Sequence, residues 1–136
     1  MPARRAVIPF MKAVGRYRTI NISANARNAG LAHMTKTLAV QLGRHGVTVN
    51  CIHSGTIGTR RTPGLLAARA AQPGVSPEEA ERQNFLPDSP RGNAICRMVD
   101  ASEIALITVF LTSDKVWAVS SELVAATGGA GRSVYT

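Results

Sequence analysis

Residues 19–53 read TINISANARNAGLAHMTKTLAVQLGRHGVTVNCIH, and this stretch decides the fold. Residues 19–23 and 47–53 each alternate polar and apolar side chains, which is typical of β-strands. Between them, residues 29–44 carry leucine and methionine at steps of three or four, which predicts a helix with one apolar face. That face consists of Leu31, Met34, Leu38 and Leu42.

A strand, a helix and a second strand at this spacing form the crossover unit of a parallel sheet. The helix is predicted to end at His45-Gly46, because glycine favours the backbone that closes a helix. The sequence therefore predicts an α/β fold. Its length fits one domain over residues 1–136, with no internal repeat and no boundary.

Further elements are predicted on both sides of this unit. Two capping boxes, Ser76-Pro77-Glu78-Glu79 and Asp100-Ala101-Ser102-Glu103, predict helix starts. The second helix is expected to turn Ile104, Ile107, Thr108 and Leu111 towards a core. The other predicted elements are a helix ending near Gly15, a loop over 54–62, a short helix over 65–71, turns over 88–92 and a strand over 123–127 before Gly128-Gly129.

The charge is unevenly distributed. The chain has 16 Lys and Arg against 8 Asp and Glu, a net charge of +8, and its first 77 residues contain 11 basic side chains and no acidic one. Such a basic half raises the possibility of nucleic-acid binding. The basic residues follow no helix-turn-helix pattern, and aromatic residues are only 4% of the chain, so nucleic acid is the less favoured partner.

Processing signals and metal motifs are absent from the sequence. Cys51 and Cys96 are too few for a disulfide framework, which favours reduced thiols and a cytoplasmic location. The three histidines form no metal-binding motif, so no metal site is expected. No apolar run is long enough to span a bilayer, and the first residues lack a signal-peptide cleavage pattern.

Four passages in order resemble the short-chain dehydrogenase/reductase family, and specifically its C-terminal half. Residues 29–39 resemble the helix after the catalytic tyrosine and lysine of the family. Residues 46–59 resemble the next strand and its nicotinamide-contacting loop, where the family usually has Pro-Gly-x-Ile-x-Thr. Residues 101–114 resemble a late helix ending in Phe-Leu-x-Ser-Asp, and residues 119–129 resemble the last strand with its closing Gly-Gly.

The resemblance implies part of a Rossmann-type, doubly wound sheet with flanking helices, and NAD or NADP as cofactor. It also implies hydride transfer between the cofactor and a carbonyl or alcohol, with a tyrosine as acid/base beside a lysine. On this basis the cofactor-binding residues are Ser54, Gly55, Ile57 and Thr59, and Ser23 is a remnant of the catalytic strand ending.

The sequence departs from the family pattern at several positions. It contains no glycine-rich dinucleotide motif, and neither tyrosine, Tyr17 or Tyr135, has a lysine four residues later. Alignment on the helix puts Ala24 and Asn28 where the family has tyrosine and lysine. Ser54 replaces the loop proline, and Ser121 replaces a glycine before the last strand. The resemblance therefore predicts a truncated member without the N-terminal mononucleotide-binding half.

Three functions remain open at this stage. The preferred one is an oxidoreductase by descent that is catalytically impaired on its own. The second is an active enzyme completed by a partner chain. The third is a non-enzymatic binding or oligomerisation module. Because a partial sheet exposes apolar surface, we expect association with a second copy or a full-length relative. The resemblance implies the helix over 29–44 as the contact, because relatives use the equivalent helix for dimer packing.

Overall fold

The computed structural model describes residues 2–23, 29–59, 62 and 74–130. The predicted short helix over 65–71 lies outside the described residues. The elements are α1 Pro2–Val14, β1 Tyr17–Ser23, α2 Ala29–Gly43, β2 Val47–Ser54, β3 Ile57–Gly58, α3 Pro77–Asn84, β4 Val99–Asp100, α4 Ala101–Thr112 and β5 Leu123–Ala126.

The chain divides into two compact units. One comprises residues 1–53 and 105–125, and the other comprises residues 54–104 and 126–136. The first contains α1, β1, α2 and most of β2, α4 and β5. The second contains β3, α3 and β4, together with the loop that follows β2.

A parallel sheet with the order β1-β2-β5 forms the centre of the first unit. Register runs from Tyr17 opposite Val47 to Ser23 opposite His53. β2 is the middle strand, and its residues are buried on both faces, as parallel strands covered by helices require. The α/β prediction and the strand-helix-strand unit are therefore confirmed.

The core of the first unit differs from the predicted leucine stripe on α2. Leu42 is buried as predicted, but the other buried positions of α2 are Thr35 and Ala39, and Leu38 is only partly buried. Small side chains let the helix approach the sheet closely. The Asn21 amide donates to the Thr35 hydroxyl over 2.7 Å, and that hydroxyl donates to the Leu31 carbonyl over 2.8 Å. Both polar groups thus satisfy the requirement for hydrogen bonds in a buried site.

Several predicted boundaries needed correction. β1 begins at Tyr17, two residues before the predicted start, and α2 ends at Gly43, one residue early. β2 continues through Ser54, which was predicted to open the loop. The predicted loop also contains β3, which pairs in parallel with β4. Strands of two residues have too few positions to show an alternating pattern, so neither β3 nor β4 could be predicted from the sequence.

Both predicted capping boxes open helices. At α3 the Ser76 hydroxyl accepts from the Glu79 N–H over 3.2 Å, and Pro77 occupies the first turn. At α4 the Asp100 carboxylate accepts from the Ser102 N–H, and the Glu103 carboxylate accepts from the Asp100 N–H, each over 2.8 Å. The reciprocal pair satisfies backbone donors that a helix start leaves without partners.

Candidate functional site: the loop after β2

The loop after β2 starts at the carboxyl end of a central parallel strand, where open α/β sheets bind their ligands. It contains the four residues predicted to contact a cofactor. Ser54 is the last residue of β2 and is buried, with 2% of its surface exposed. Gly55 and Ile57 are half-buried, whereas Thr56 and Thr59 are exposed. The loop therefore presents its backbone and two threonine side chains rather than the Ser54 hydroxyl.

Pairing between β3 and β4 fixes the orientation of the Ile57 peptide groups. The Val99 N–H donates to the Thr56 carbonyl over 3.0 Å, and Ile57 lies opposite Val99. In a parallel ladder, successive residues direct their N–H and C=O to opposite sides. Ile57 therefore directs its N–H and its C=O away from β4. One donor beside one acceptor complements a primary carboxamide, which carries an NH₂ group and a carbonyl oxygen.

Gly55 is required by close backbone packing. Its N–H donates to the Ala126 carbonyl over 3.1 Å, and a Cβ atom at this position would lie 3.0 Å from the Thr127 carbonyl oxygen. The glycine thus joins the end of β2 to the end of β5. Close packing against Thr127 therefore accounts for the glycine at position 55, and the hydrogen bond to Ala126 holds the first residue of the loop in place.

Thr59 is the last residue of the described loop after β2, and it is hydrogen-bonded to Thr62. Its N–H donates to the Thr62 hydroxyl over 2.7 Å, and the two hydroxyl oxygens are 3.3 Å apart. The Thr62 N–H donates to the Thr59 carbonyl over 2.9 Å. These bonds hold Thr59 and Thr62 together, with Thr59 exposed at the surface.

The segment leading into β4 is held by an ion pair between Arg97 and Glu103 that no sequence motif indicates. Arg97 donates to both carboxylate oxygens of Glu103, over 2.8 and 3.0 Å. Hydrogen bonds from Arg97 and from the Asp100 N–H lower the pKa of Glu103 to about 2. Hydrogen bonds from Ser102 also lower the pKa of Asp100. Because these groups support α4 and β4, we assign them a structural role.

The Gly128-Gly129 pair turns the chain after β5. Both glycines have positive φ angles, 65° and 77°. The Ile95 N–H donates to the Gly128 carbonyl over 3.2 Å, and a Cβ atom on Gly128 would lie 2.7 Å from the Ile95 side chain. The last strand ends at Ala126, one residue before its predicted end, and the glycine pair follows it. Its contact with residue 95 has no signal in the sequence.

Ser23 is the residue that the resemblance matches to the end of the strand before the catalytic tyrosine. It is buried at the carboxyl end of β1, opposite His53. Tyr17 begins the same strand, so the two residues are separated by about 20 Å along it. Positions 24 and 28, where the resemblance puts the catalytic tyrosine and lysine of the family, and Tyr135 lie outside the described residues. Within the described part of the chain, the structure brings no tyrosine to Ser23.

The described residues offer no candidate for a metal site or for a membrane-spanning helix. Among residues 2–23, 29–59, 62 and 74–130, no group of three or more His, Cys, Asp or Glu side chains has the arrangement of a metal site. No helix in the same part of the chain is long and apolar enough to cross a membrane.

Comparison with known proteins identifies the family. The family model described as enoyl-(acyl carrier protein) reductase matches residues 7–131. The chain belongs to the short-chain dehydrogenase/reductase family. The NADPH-dependent reductase BacG of Bacillus subtilis is 29% identical over 107 residues, which are 79% of this chain and 39% of BacG. The short-chain reductase protein NovJ of Streptomyces niveus is 32% identical over 91% of this chain and 48% of NovJ.

A solved structure supports the same assignment. The crystal structure of actinorhodin polyketide ketoreductase with NADPH matches with a TM-score of 0.70 and 25% identity, over 90% of this chain and 50% of that one. The Rossmann-type fold and the resemblance to NAD(P)-dependent oxidoreductases are therefore confirmed. The chain spans half or less of the length of these three relatives.

Proposed function

We propose that this chain provides the nicotinamide-binding half of an NADP(H)-dependent short-chain reductase and has little catalytic activity by itself. The orientation of Ile57 carries the proposal, because its N–H and C=O complement the nicotinamide carboxamide. The exposed Thr56 and Thr59 flank this position. The NADPH-dependent relative BacG supports NADP(H) over other nucleotide cofactors.

The residues present fit one end of the cofactor. The loop offers a fixed donor and acceptor for the nicotinamide, which in this family supplies or accepts the hydride at a carbonyl or alcohol carbon. The pyrophosphate requires a glycine-rich turn at a helix start, and these 136 residues contain no such motif. We therefore expect the chain to bind the nicotinamide portion of the cofactor and to discriminate poorly between NAD and NADP.

The absence of a tyrosine-lysine pair from the sequence supports weak catalysis. Hydride transfer to a carbonyl leaves an alkoxide that must receive a proton, and loss of a general acid typically costs about 10²–10⁴ in rate. A small-molecule carbonyl or alcohol remains the substrate class. We expect no oxidation of NADPH above background when the chain alone is given a panel of ketones.

A titration with half-cofactors tests the proposal. Reduced nicotinamide mononucleotide should shift the amide NMR signals of residues 55–59, whereas adenosine 2′,5′-bisphosphate should leave them unchanged. Ile57→Pro removes the N–H that faces away from β4, and Ile57→Val retains it as the matched control. Nicotinamide mononucleotide binding that survives Ile57→Pro, or that is absent from the unaltered chain, contradicts the proposal.

Association and location form the remaining part of the proposed function. Val40 on α2 is 81% exposed, which supports contact with a second copy or a full-length relative through this helix. Neither Cys51 nor Cys96 forms a disulfide, which supports a reducing, cytoplasmic location. We retain a single short-chain reductase-like domain over residues 1–136 as the proposed organisation.

A further inference from the structure

We infer that the cavity lined by α1, β1 and α2 binds a short aliphatic monocarboxylate, and that Arg18 donates a hydrogen bond to its carboxylate. The inference goes beyond the proposed function, because every residue that it uses belongs to the first unit. It depends on the apolar lining of the cavity, on a buried donor of Arg18 and on the local charge.

The cavity has a volume of about 320 Å³ and a mostly apolar lining. Its apolar side chains include Ile8 and Met11 from α1 and Leu38 and Leu42 from α2, and residues 18–20 of β1 also line it. Ligand sites in proteins are typically apolar cavities of about 300–1,000 Å³ with a few placed polar groups. This volume is near the lower end of that range, which favours a short aliphatic chain of about eight carbons.

Arg18 is the charged residue of this lining, and it contains a buried donor. Only 8% of its side-chain surface is exposed. Within the part of the chain that the structure describes, no group accepts a hydrogen bond from its buried Nε–H. A buried donor without an acceptor is destabilising, and a ligand oxygen that accepts from Nε–H removes this cost.

The remaining contacts of Arg18 hold its guanidinium group in place. Nη1 donates to the Tyr17 carbonyl over 3.3 Å, and Nη2 donates to the Ser113 carbonyl over 3.4 Å. The guanidinium carbon lies 3.5 Å from the centroid of the Trp117 ring, which is a cation–π contact. Both terminal nitrogens and one face of the group are thus engaged, and Nε–H remains as the donor for a ligand.

The local charge favours an anion over a neutral ligand. Asp114 lies 3.6 Å from Nη2 of Arg18, but its side chain is 63% exposed, so solvent screens its charge. The first 77 residues contain no acidic side chain, so α1, β1 and α2 add no negative charge around the cavity.

The number of available donors selects the class of anion. A carboxylate oxygen forms a charge-assisted hydrogen bond with a single guanidinium N–H, and such bonds are stronger than neutral ones. A phosphate monoester has three strongly accepting oxygens and requires more donors than the one that Arg18 offers. Thr19 adds a hydroxyl to the lining. One charged donor beside apolar side chains therefore fits a carboxylate with an aliphatic chain.

An NMR titration of the full chain with sodium octanoate tests the inference. Octanoate should shift the side-chain Nε–H signal of Arg18 and the methyl signals of Leu38 and Leu42. Octan-1-ol has the same chain without the charge, and propionate has the charge with a much shorter chain. We expect each of these controls to bind roughly tenfold or more weakly than octanoate.

Two variants, each with a matched control, separate the donor from the cavity. Arg18→Lys keeps the charge but removes Nε–H, and it should weaken octanoate binding roughly tenfold. Arg16→Lys, at a side chain that is 60% exposed, should bind like the unaltered chain. Leu38→Trp fills the cavity and should abolish binding whether or not Arg18→Lys folds. Gln41→Trp, at an exposed position of α2, is its control.

Three results overturn the inference. One is an Arg18 Nε–H signal that octanoate leaves unchanged. The second is equal affinity for octanoate and octan-1-ol, which makes the cavity a site for apolar molecules without regard to charge. The third is a set of shifts that survives Leu38→Trp, which indicates surfactant binding to exposed apolar surface.

The same sample separates this inference from the proposed function. Octanoate binding at Arg18 without binding of reduced nicotinamide mononucleotide supports the carboxylate site and contradicts the proposed function. Nicotinamide binding without a response of Arg18 to octanoate overturns the carboxylate site and leaves the proposed function intact.

Discussion

Ser121 occupies a backbone conformation that suits glycine, and its replacement by glycine should stabilise the protein. Its φ angle is +72°, in the left-handed region. The conformation is held from both sides, because the Ser121 N–H donates to the Val49 carbonyl over 2.8 Å and the Ser121 carbonyl accepts from the Lys36 ammonium over 3.2 Å. The strain therefore cannot relax without loss of these contacts before β5.

The expected gain in the free energy of unfolding is the difference between two opposing effects, relief of backbone strain and loss of chain entropy. A non-glycine residue in the left-handed region costs about 1–2 kcal/mol, owing to the clash of Cβ with the backbone. Glycine at the same site costs about 0.5–1 kcal/mol in additional chain entropy lost on folding. We expect Ser121→Gly to raise the free energy of unfolding by about 0.5–1 kcal/mol, which corresponds to roughly 2–4 °C in Tm for a domain of this size.

Thermal and urea unfolding followed by circular dichroism measure this change. Ser121→Ala is the matched control, since it removes the hydroxyl but keeps Cβ, and it should leave Tm within about 1 °C of the unaltered protein. If Ser121→Gly proves no more stable than the unaltered protein, or if Ser121→Ala stabilises equally, relief of backbone strain is not the cause and the reasoning fails.

Three further predictions concern packing, pH and association. Gly46→Ala should lower Tm strongly in the same unfolding assay, because φ is +68° and the new Cβ would lie 2.0 Å from the Gly15 carbonyl oxygen. Glu103→Gln should lower Tm at neutral pH. Folding lowers the pKa of Glu103 from 4.5 to about 2, so the stability that its carboxylate contributes is present above pH 4.5 and is lost as the pH falls to about 2. The Tm values of Glu103→Gln and the unaltered protein should therefore converge in acid. Val40→Asp should weaken concentration-dependent association in sedimentation velocity, whereas an unchanged profile rules out α2 as the contact.

The crossover unit could be predicted from the sequence because its signals are local. Alternation over 47–53 identified a strand that is paired on both sides in the structure, and capping boxes at Ser76 and Asp100 marked true helix starts. These signals depend on hydrogen bonds within a few residues. The buried positions of α2 were predicted less well, because the choice of Thr35 over Leu31 depends on a partner, Asn21, that lies on another element.

The geometry of the loop could be predicted only in part. The motif placed Gly55, Ile57 and Thr59 together, but the direction of the Ile57 peptide groups follows from pairing with Val99, more than 40 residues away. Likewise, the contact between Gly128 and Ile95 joins segments that share no local pattern. Pairing between short strands that lie far apart in the sequence leaves no periodic pattern, so it cannot be predicted from the sequence alone.

The two replacements that the resemblance implies, at Ser54 and Ser121, lie where backbone hydrogen bonds hold the chain. By the resemblance, Ser54 stands where the family has proline, and it is buried within β2. The following residue, Gly55, is held by the hydrogen bond from its N–H to the Ala126 carbonyl. Ser121 stands where the family has glycine, and its strained backbone is held by Val49 and Lys36. Backbone contacts on both sides thus compensate for each replacement. The loop therefore keeps the backbone geometry on which the proposed nicotinamide binding depends, and the proposed weakness in catalysis rests on the tyrosine-lysine pair rather than on the loop.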